Sequence, residues 1–386
     1  VSKEPGSLRE IAGAFLKLGC VAFGGPLAHI SMMEEEMVRR RGWVNAARFA
    51  EGVAVCQALP GPASTQLAIW LGYARAGWLG GLVAGIGFIL PAFCLLLILS
   101  ALYVRYGRLP SAQAISYGVN AAVISIVLAA GWRMARSAVQ DWFTGAILAV
   151  VFVLSLLRVE LVWLLLAGGF AGLIRYHWKP FASRAAVFTF PLLLAIDTAR
   201  QWEIAWFFLK AGAFMYGGGF VILAFIEQQV VVGERWLTRQ EFLDGTAIAQ
   251  ITPGPVLIAA TFIGFKAGGL TGACIATAAV FLPSFVFIFL AAPNLARWRD
   301  AAGFQAFLNG VNPAVAAVIL AAAILLAYGH PPEEPGAIRD LPAVLIGLAA
   351  LVALARYRVS IPLLLLCAAL AGVAAQLLAR WMMLPI

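Results

Sequence analysis

The 386-residue chain is 63% apolar and only 12% charged, with a mean hydropathy of +0.93, which leaves too little polar surface to cover a water-soluble globule. Lipid must cover the rest, and because the apolar runs do not alternate apolar with polar residues, a membrane β-barrel is excluded as well. The net charge of +9, from 27 Lys and Arg against 18 Asp and Glu, suits anionic cargo, but the basic loops of membrane proteins give the same sign, so charge does not choose a substrate.

The predicted elements begin with an apolar helix over about residues 8 to 23, carrying Arg9 near its start and Lys17 within it. Gly24-Gly25-Pro26 ends this helix. Lys17 lies seven residues, two turns, before the glycine pair and so on the face of the break; it reads either as a cavity-facing cation or as a side chain snorkelling to the interface. Leu18-Gly19-Cys20 has the outline of a lipoprotein cleavage site, but Lys17 breaks it, and no removable signal peptide is read.

An amphipathic stretch follows, with Glu34-Glu35-Glu36 ahead of Arg39-Arg40-Arg41. Asn45 caps the next helix, which contains Glu51 and Gln57 and is interrupted by Pro60-Gly61-Pro62. Proline at a helix start is preorganised, so Pro62 is expected to open a short helix over Ala63 to Arg75. The outcome is a helix, an elbow and a second helix, dipping into the membrane as a hairpin, although two full crossings fit the same residues. Spans are then expected over about 78 to 104, 112 to 136, 142 to 157 and 160 to 176, the third helix of the half carrying Asn120 beside Gly118.

The second half repeats the first. At an offset of 193, residues 15 to 62 align with 208 to 255 without gaps, and sixteen of the 48 positions are identical. The shared set includes Lys17 with Lys210, Gly24-Gly25 with Gly217-Gly218, Glu34 with Glu227, Gln57 with Gln250 and the elbows at 60–62 and 253–255. An acid is kept at Glu51 and Asp244, and Thr238 to Glu241 has capping-box spacing. After a one-residue slip the match runs through Leu90-Pro91 and Leu282-Pro283 to Asn120 and Asn312. The expected architecture is all-α and polytopic, with about ten transmembrane helices, a repeat over 1–180, a basic linker over 181–201 and a second repeat over 202–386. Five crossings per half is an odd number, which inverts the second repeat relative to the first. Lys and Arg fall on both sides, with a weak lean to calling the side of Arg39 to Arg41, Arg133, Arg136, Lys179 and Arg297 cytoplasmic.

Two hairpins entering from opposite faces would bring two helix N-termini, with their free N–H groups and positive dipole ends, towards the midplane. That chemistry accepts a tetrahedral oxyanion. Gly61, Pro62, Ala63, Ser64 and Thr65 in the first half, and Thr252, Gly254, Pro255 and Val256 in the second, are the candidate ligating positions, with Gly25, Gln57 and Gln250 beside them. Each elbow also reads as a plain tight turn between packed helices. Glu34, Glu227, Glu51 and Asp244 are candidate proton carriers, since partial burial moves a carboxyl towards the working range; Glu34 equally fits a solvated helix face. Asn120 and Asn312 serve as interhelical glue or line a polar path. His29 faces Ile222 in the repeat, which weakens a shuttle role for it.

Aromatic-Gly-Gly after Phe-Leu-Lys-x-Gly, a later Glu, and then Gln-x-x-Pro-Gly-Pro, all occurring twice, closely resemble the long, two-domain form of the chromate ion transporter family. The resemblance spans nearly the whole chain. It implies a ten-helix carrier in the bacterial inner membrane that exports chromate using the proton motive force, with Lys17, Gly24, Gly25, Glu34, Gln57, Pro60, Gly61, Pro62 and their second-half equivalents on the family motifs. Uptake of sulfate or a related oxyanion is the alternative. Gly219 opposite Pro26 and Gln250-Ile251-Thr252 before the second elbow depart from the pattern and make the halves unequal. The partners implied are chromate or sulfate, protons and lipid, with a homodimer as a candidate assembly and no nucleic acid. No cofactor or metal is expected: Cys20, Cys56, Cys94, Cys274 and Cys367 stand singly, which also disfavours a thiol reductase, and no Gly-x-x-x-x-Gly-Lys loop is present for direct ATP drive. A passive anion channel would need no proton carboxylate.

Overall fold

The computed structural model describes residues 7–23, 25–107, 109–176, 199–214, 226–292, 302–330, 334–335, 338, 340–357 and 359–382. Apart from a two-residue antiparallel pairing of Gly329–His330 with Glu334–Pro335, its regular structure is helical. Among the described residues, five helices are long and apolar enough to cross a membrane: Ala63–Tyr106, Pro110–Ala138, Val256–Ala291, Gln305–Tyr328 and Ile361–Leu378.

In the first half, α1 (Leu8–Val21) stops where Ala22 leaves helical geometry, and Gly25, at φ 85°, allows α2 (Pro26–Glu34) to restart with Pro26 in its first turn. The break expected of Gly25-Pro26 is present; Gly24 and the second-half glycines Gly217 and Gly218 lie outside the described residues. α2 continues as a π-helical turn over Glu35–Arg40. Next come α3 (Ala46–Ala58), α4 (Ala63–Tyr106), α5 (Pro110–Ala138), α6 (Trp142–Leu156) and α7 (Leu161–Tyr176). The second half supplies α8 (Ala199–Phe214), a π-turn over Gln228–Gly233, α9 (Arg239–Ile251), a 3-10 turn at Val256–Ile258, α10 (Ala259–Ala291), α11 (Ala302–Tyr328), α12 (Leu341–Val352) and α13 (Ile361–Met382).

The repeat extends to the geometry of the backbone. α4 is bent by non-helical backbone at Ala76 (φ −145°, ψ 33°) and Gly77 (φ 64°, ψ −156°), and α10 at Gly268 (φ −148°, ψ 24°) and Gly269 (φ 63°, ψ −151°), at the same offset. Past each bend the chain folds back on itself through small residues, Gly72 against Gly80 and Gly264 against Gly272. The π-turns also match residue for residue, each closing with a Trp amide on the turn: Trp43 N–H on Met37 O and Trp236 N–H on Val230 O, both 2.8 Å.

The halves interlock by exchange. α1 packs on α4 and α8 on α10 within each half, but α7 packs on α11 and α13 on α5, so each last helix sits on the other half. Glycines permit these crossings: a Cβ on Gly118 would lie 2.8 Å from Gly372 Cα, and one on Gly310 2.9 Å from Gly172 N. The core is continuous across this seam, with Val123, Val127, Leu164, Val315 and Ile319 buried in one cluster. α4 and α10 also pack against each other, which brings the two elbows to the interface of the halves.

Candidate functional site

Each elbow is built by the same backbone and seated on the opposite half. Asn45 accepts the Arg48 amide and caps α3; Thr238 and Glu241 form a reciprocal capping box on α9. Gly61 (φ 121°) and Gly254 (φ 110°) turn the chain in a region that disfavours side-chain-bearing residues. Pro62 is the N-cap of α4, at ψ 102°, one position before the helical start expected of it; Pro255 precedes the 3-10 turn that leads into α10. A Cβ on Gly61 would fall 2.8 Å from Ser284 Oγ of α10, next to Pro283, and one on Gly254 would fall 2.6 Å from Ala92 Cβ of α4, next to Pro91. Ala92 and Ser284 are repeat counterparts, so the seats are equivalent and their chemistry is not.

The first elbow is polar and incompletely paired. Gln66 Nε2 donates to Pro60 O at 2.5 Å, while Gln66 Oε1, Thr65 Oγ1 and Ser284 Oγ are buried without a hydrogen-bond partner. Buried polar atoms of this kind ordinarily find a partner, and the side chains of Gln66 and Ser284 adjoin Gly61. Ser64 is buried beside them and Ala63 half-buried. At the second elbow Thr252 Oγ1 is spent on Ile248 O, 2.7 Å away, and the Gly254 amide donates to Ala22 O at 2.8 Å. The same carbonyl, at the broken end of α1, accepts from buried His29 Nε2 at 2.9 Å. This ties the first helix break to the second elbow. Gln57 is exposed and Gln250 half-buried, one turn before their elbows, and Val256 is half-buried in the 3-10 turn.

The four repeated carboxylates are placed in four different ways. Glu51 is exposed on α3. Glu34 is half-buried at the end of α2, 3.7 Å from Arg39. Glu227 is buried and paired with buried Arg239 at 3.0 Å, and it lines a small pocket with Ser155, Arg158 and Val318. Asp244, 5% exposed, accepts from Tyr103 Oη at 2.6 Å, Asn120 Nδ2 at 2.9 Å and Gln240 Nε2 at 3.1 Å. Asp244 and Asn120, singled out separately in sequence, thus meet; Asn312 is half-buried in α11. Lys17 is exposed on α1, and Lys210 is half-buried with its ammonium 5.9 Å from the Trp206 ring centre.

Sequence reasoning missed Gln66, Ser284, Tyr103 and Arg239. Arg239 had a usable signal: it is a charge whose repeat counterpart, Ala46, has none. It also missed a cluster at the start of α1, where Glu10 accepts from Trp43 Nε1 at 3.1 Å while Arg41 and Arg75 lie over the Trp43 ring. Beside it, the hydrogen bond from Arg41 holds the Glu36 carboxyl below its ordinary range, with Lys17 adding a smaller effect. Among the described residues no group of His, Cys, Asp and Glu is arranged to hold a metal.

The long apolar helices, exchanged between two halves around facing elbows, define an all-helical, multi-pass membrane protein. The chain belongs to the chromate transporter family, whose model matches residues 9–173 and 202–373. It is 35% identical to the chromate transport protein of Cupriavidus metallidurans, across 96% of this chain and 93% of the relative. It is 36% identical to the probable chromate transport protein of Synechococcus elongatus, across 95% of each. With the chromate transport protein of Pseudomonas aeruginosa the identity is 33%, across 95% of this chain and 92% of the relative. No solved structure matches the chain.

Proposed function

We propose that the chain carries chromate across the bacterial inner membrane as a secondary transporter and not as an enzyme, exporting it by alternating access at the expense of the proton motive force. The observation that carries this reading is the pair of elbows, each seated at an equivalent position on the other half, Gly61 on Ser284 and Gly254 on Ala92. In this reading repeats 1–180 and 202–386, joined by 181–201, are inverted with about ten crossings, and rocking of one against the other opens the elbows to alternate sides.

The oxyanion binds at the helix starts that follow Pro62 and Pro255, where free backbone N–H groups and hydroxyls supply several hydrogen bonds to four oxygens without full countercharge. Gly61, Ala63, Ser64 and Thr65, with Thr252, Gly254 and Val256, form its walls; the break at Gly25, together with Gln57 and Gln250, borders the path, and Lys17 and Lys210 attract the anion towards it. Asn120 and Asn312 line the polar interior. The coupling proton uses the repeated carboxylates Glu34, Glu227, Glu51 and Asp244. The family membership and the relatives' names support chromate as cargo.

The test is chromate flux in proteoliposomes, with and without an imposed proton gradient, for the wild type and Lys17→Ala, with sulfate as competitor. Accumulation that needs the gradient, is competed by sulfate and falls in the variant is the expected result. Sulfate moving inward in the native orientation, with no chromate movement, would replace export by oxyanion uptake.

A further inference from the structure

Of the four repeated carboxylates, Asp244 alone is buried, faces the other half and lacks a countercharge. Its partners Tyr103 on α4 and Asn120 on α5 both belong to the first half, whereas Asp244 sits on α9 of the second. Every partner is neutral. Around it, Glu241 on α9 is matched by Lys266 of α10 at 2.8 Å, and Tyr117 of α5 donates to Asp340. The turn Val256–Ile258 has no ionisable side chain, and α13, which also packs on α9, has only Cys367 and Arg380. Glu227 differs in having the guanidinium of Arg239 beside it.

On a buried carboxylate held by neutral donors alone, desolvation and hydrogen bonding oppose each other: desolvation favours the acid, and hydrogen bonds favour the ion. Asn120 has a partner ready for either. Its Nδ2 donates to the ionised carboxylate, while its Oδ1 is buried and unpaired. A proton arriving on Asp244 turns one carboxyl oxygen into a donor, and rotation of the Asn120 amide gives that donor an acceptor. The Tyr103 bond is at its strongest to the charged form and weakens with protonation.

The location gives this exchange a consequence. Asp244 lies two turns before the second elbow on the same helix, and its hydrogen bonds from Tyr103 and Asn120 tie α9 to α4 and α5. We propose that Asp244 is the coupling-proton site and that Tyr103 and Asn120 are its positioning residues, so that protonation loosens α9 and its elbow from the first half and deprotonation clamps them. This rests on the proton-coupled reading above and names which of its carboxylates does the work.

The experiment reads two fluxes in proteoliposomes of the full chain: chromate accumulation driven by a proton gradient, and chromate–chromate exchange without one. Asp244→Asn keeps the size of the side chain and one accepting oxygen but cannot take up or release the proton; accumulation is expected to fall at least about tenfold while exchange stays within about twofold. Tyr103→Phe removes a donor to the charged form, so accumulation persists and its half-maximal pH moves upward by about one unit. Asp244→Asn with normal gradient-driven accumulation, or with exchange lost as fully as accumulation in a protein that still elutes as a folded species, would overturn the assignment, as would an unmoved pH profile in Tyr103→Phe. A wild type that exchanges chromate but ignores the gradient would remove the coupling reading itself, an outcome distinct from a coupled wild type with a coupled Asp244→Asn.

Discussion

The two hairpins share a backbone and differ in almost everything polar. α3 and α9 are capped alike, turn at glycines of similar positive φ, and press their elbows onto counterpart positions of the opposite half. Yet the α3 hairpin has unpaired polar atoms after its elbow, on Thr65 and Gln66, with Ser284 of α10 against Gly61, and leaves Glu51 exposed, whereas the α9 hairpin pairs its elbow and buries Asp244 behind it. Backbone symmetry supplies two equivalent elbows and side-chain asymmetry tells them apart; in the function proposed above, ligand contact falls to one and coupling to the other.

Substitutions sharpen this comparison in a defined order. The largest effect is expected where symmetry is strict: Gly118→Leu or Gly310→Leu drives a side chain into the backbone of the helix crossing it, so the folded, monodisperse peak in size-exclusion chromatography should be lost for both. Next comes a site where the halves differ. Arg239→Ala strands Glu227 as a buried unpaired charge and should destabilise the protein by about 3–5 kcal/mol, whereas Arg39→Ala, removing a solvent-facing partner of Glu34, should cost under about 1 kcal/mol. Thermal unfolding in detergent reads both, and equal costs would erase the distinction between the two ion pairs.

The elbows themselves come third. Gly61→Ala and Gly254→Ala each place a side chain at positive φ, at about 1–3 kcal/mol. Gly254→Ala should be the worse, because its obstacle is the Cβ of Ala92 on a packed helix, while the obstacle at Gly61 includes the movable tip of Gln66. The smallest effect belongs to the caps: Thr238→Ala should cost about 1 kcal/mol, and Asn45→Ala somewhat less, since only the former breaks a reciprocal capping box. Retained stability in Thr238→Ala would mean that α9 is held by tertiary contacts alone.

What was legible in the sequence was whatever the backbone itself dictates. Gly25 with Pro26, the Pro-Gly-Pro elbows and the caps at Asn45 and Thr238 act within a few residues, so their residue types announce them. The π-turns at 35–40 and 228–233 were not announced, because a register change inside a helix is decided by what packs around it, here the returning Trp43 and Trp236. Nor was the meeting of Asp244 with Asn120 and Tyr103: the residues lie 124 and 141 positions apart, and only the packing of α9 onto α4 and α5 joins them. The repeat alignment ranked Glu51 and Asp244 together because it reports ancestry, and burial has since separated them.

The account stands on the halves facing opposite ways in the membrane, so that counterpart elbows meet. The direct test is the labelling of single cysteines at counterpart exposed positions, Arg40→Cys and Gly233→Cys, in a background without the native cysteines, using a membrane-impermeant maleimide on intact cells and on permeabilised ones. Opposed repeats require that one of the two label in intact cells and the other only after permeabilisation. Labelling of both from the same side would contradict the inverted arrangement and the shared site built on it.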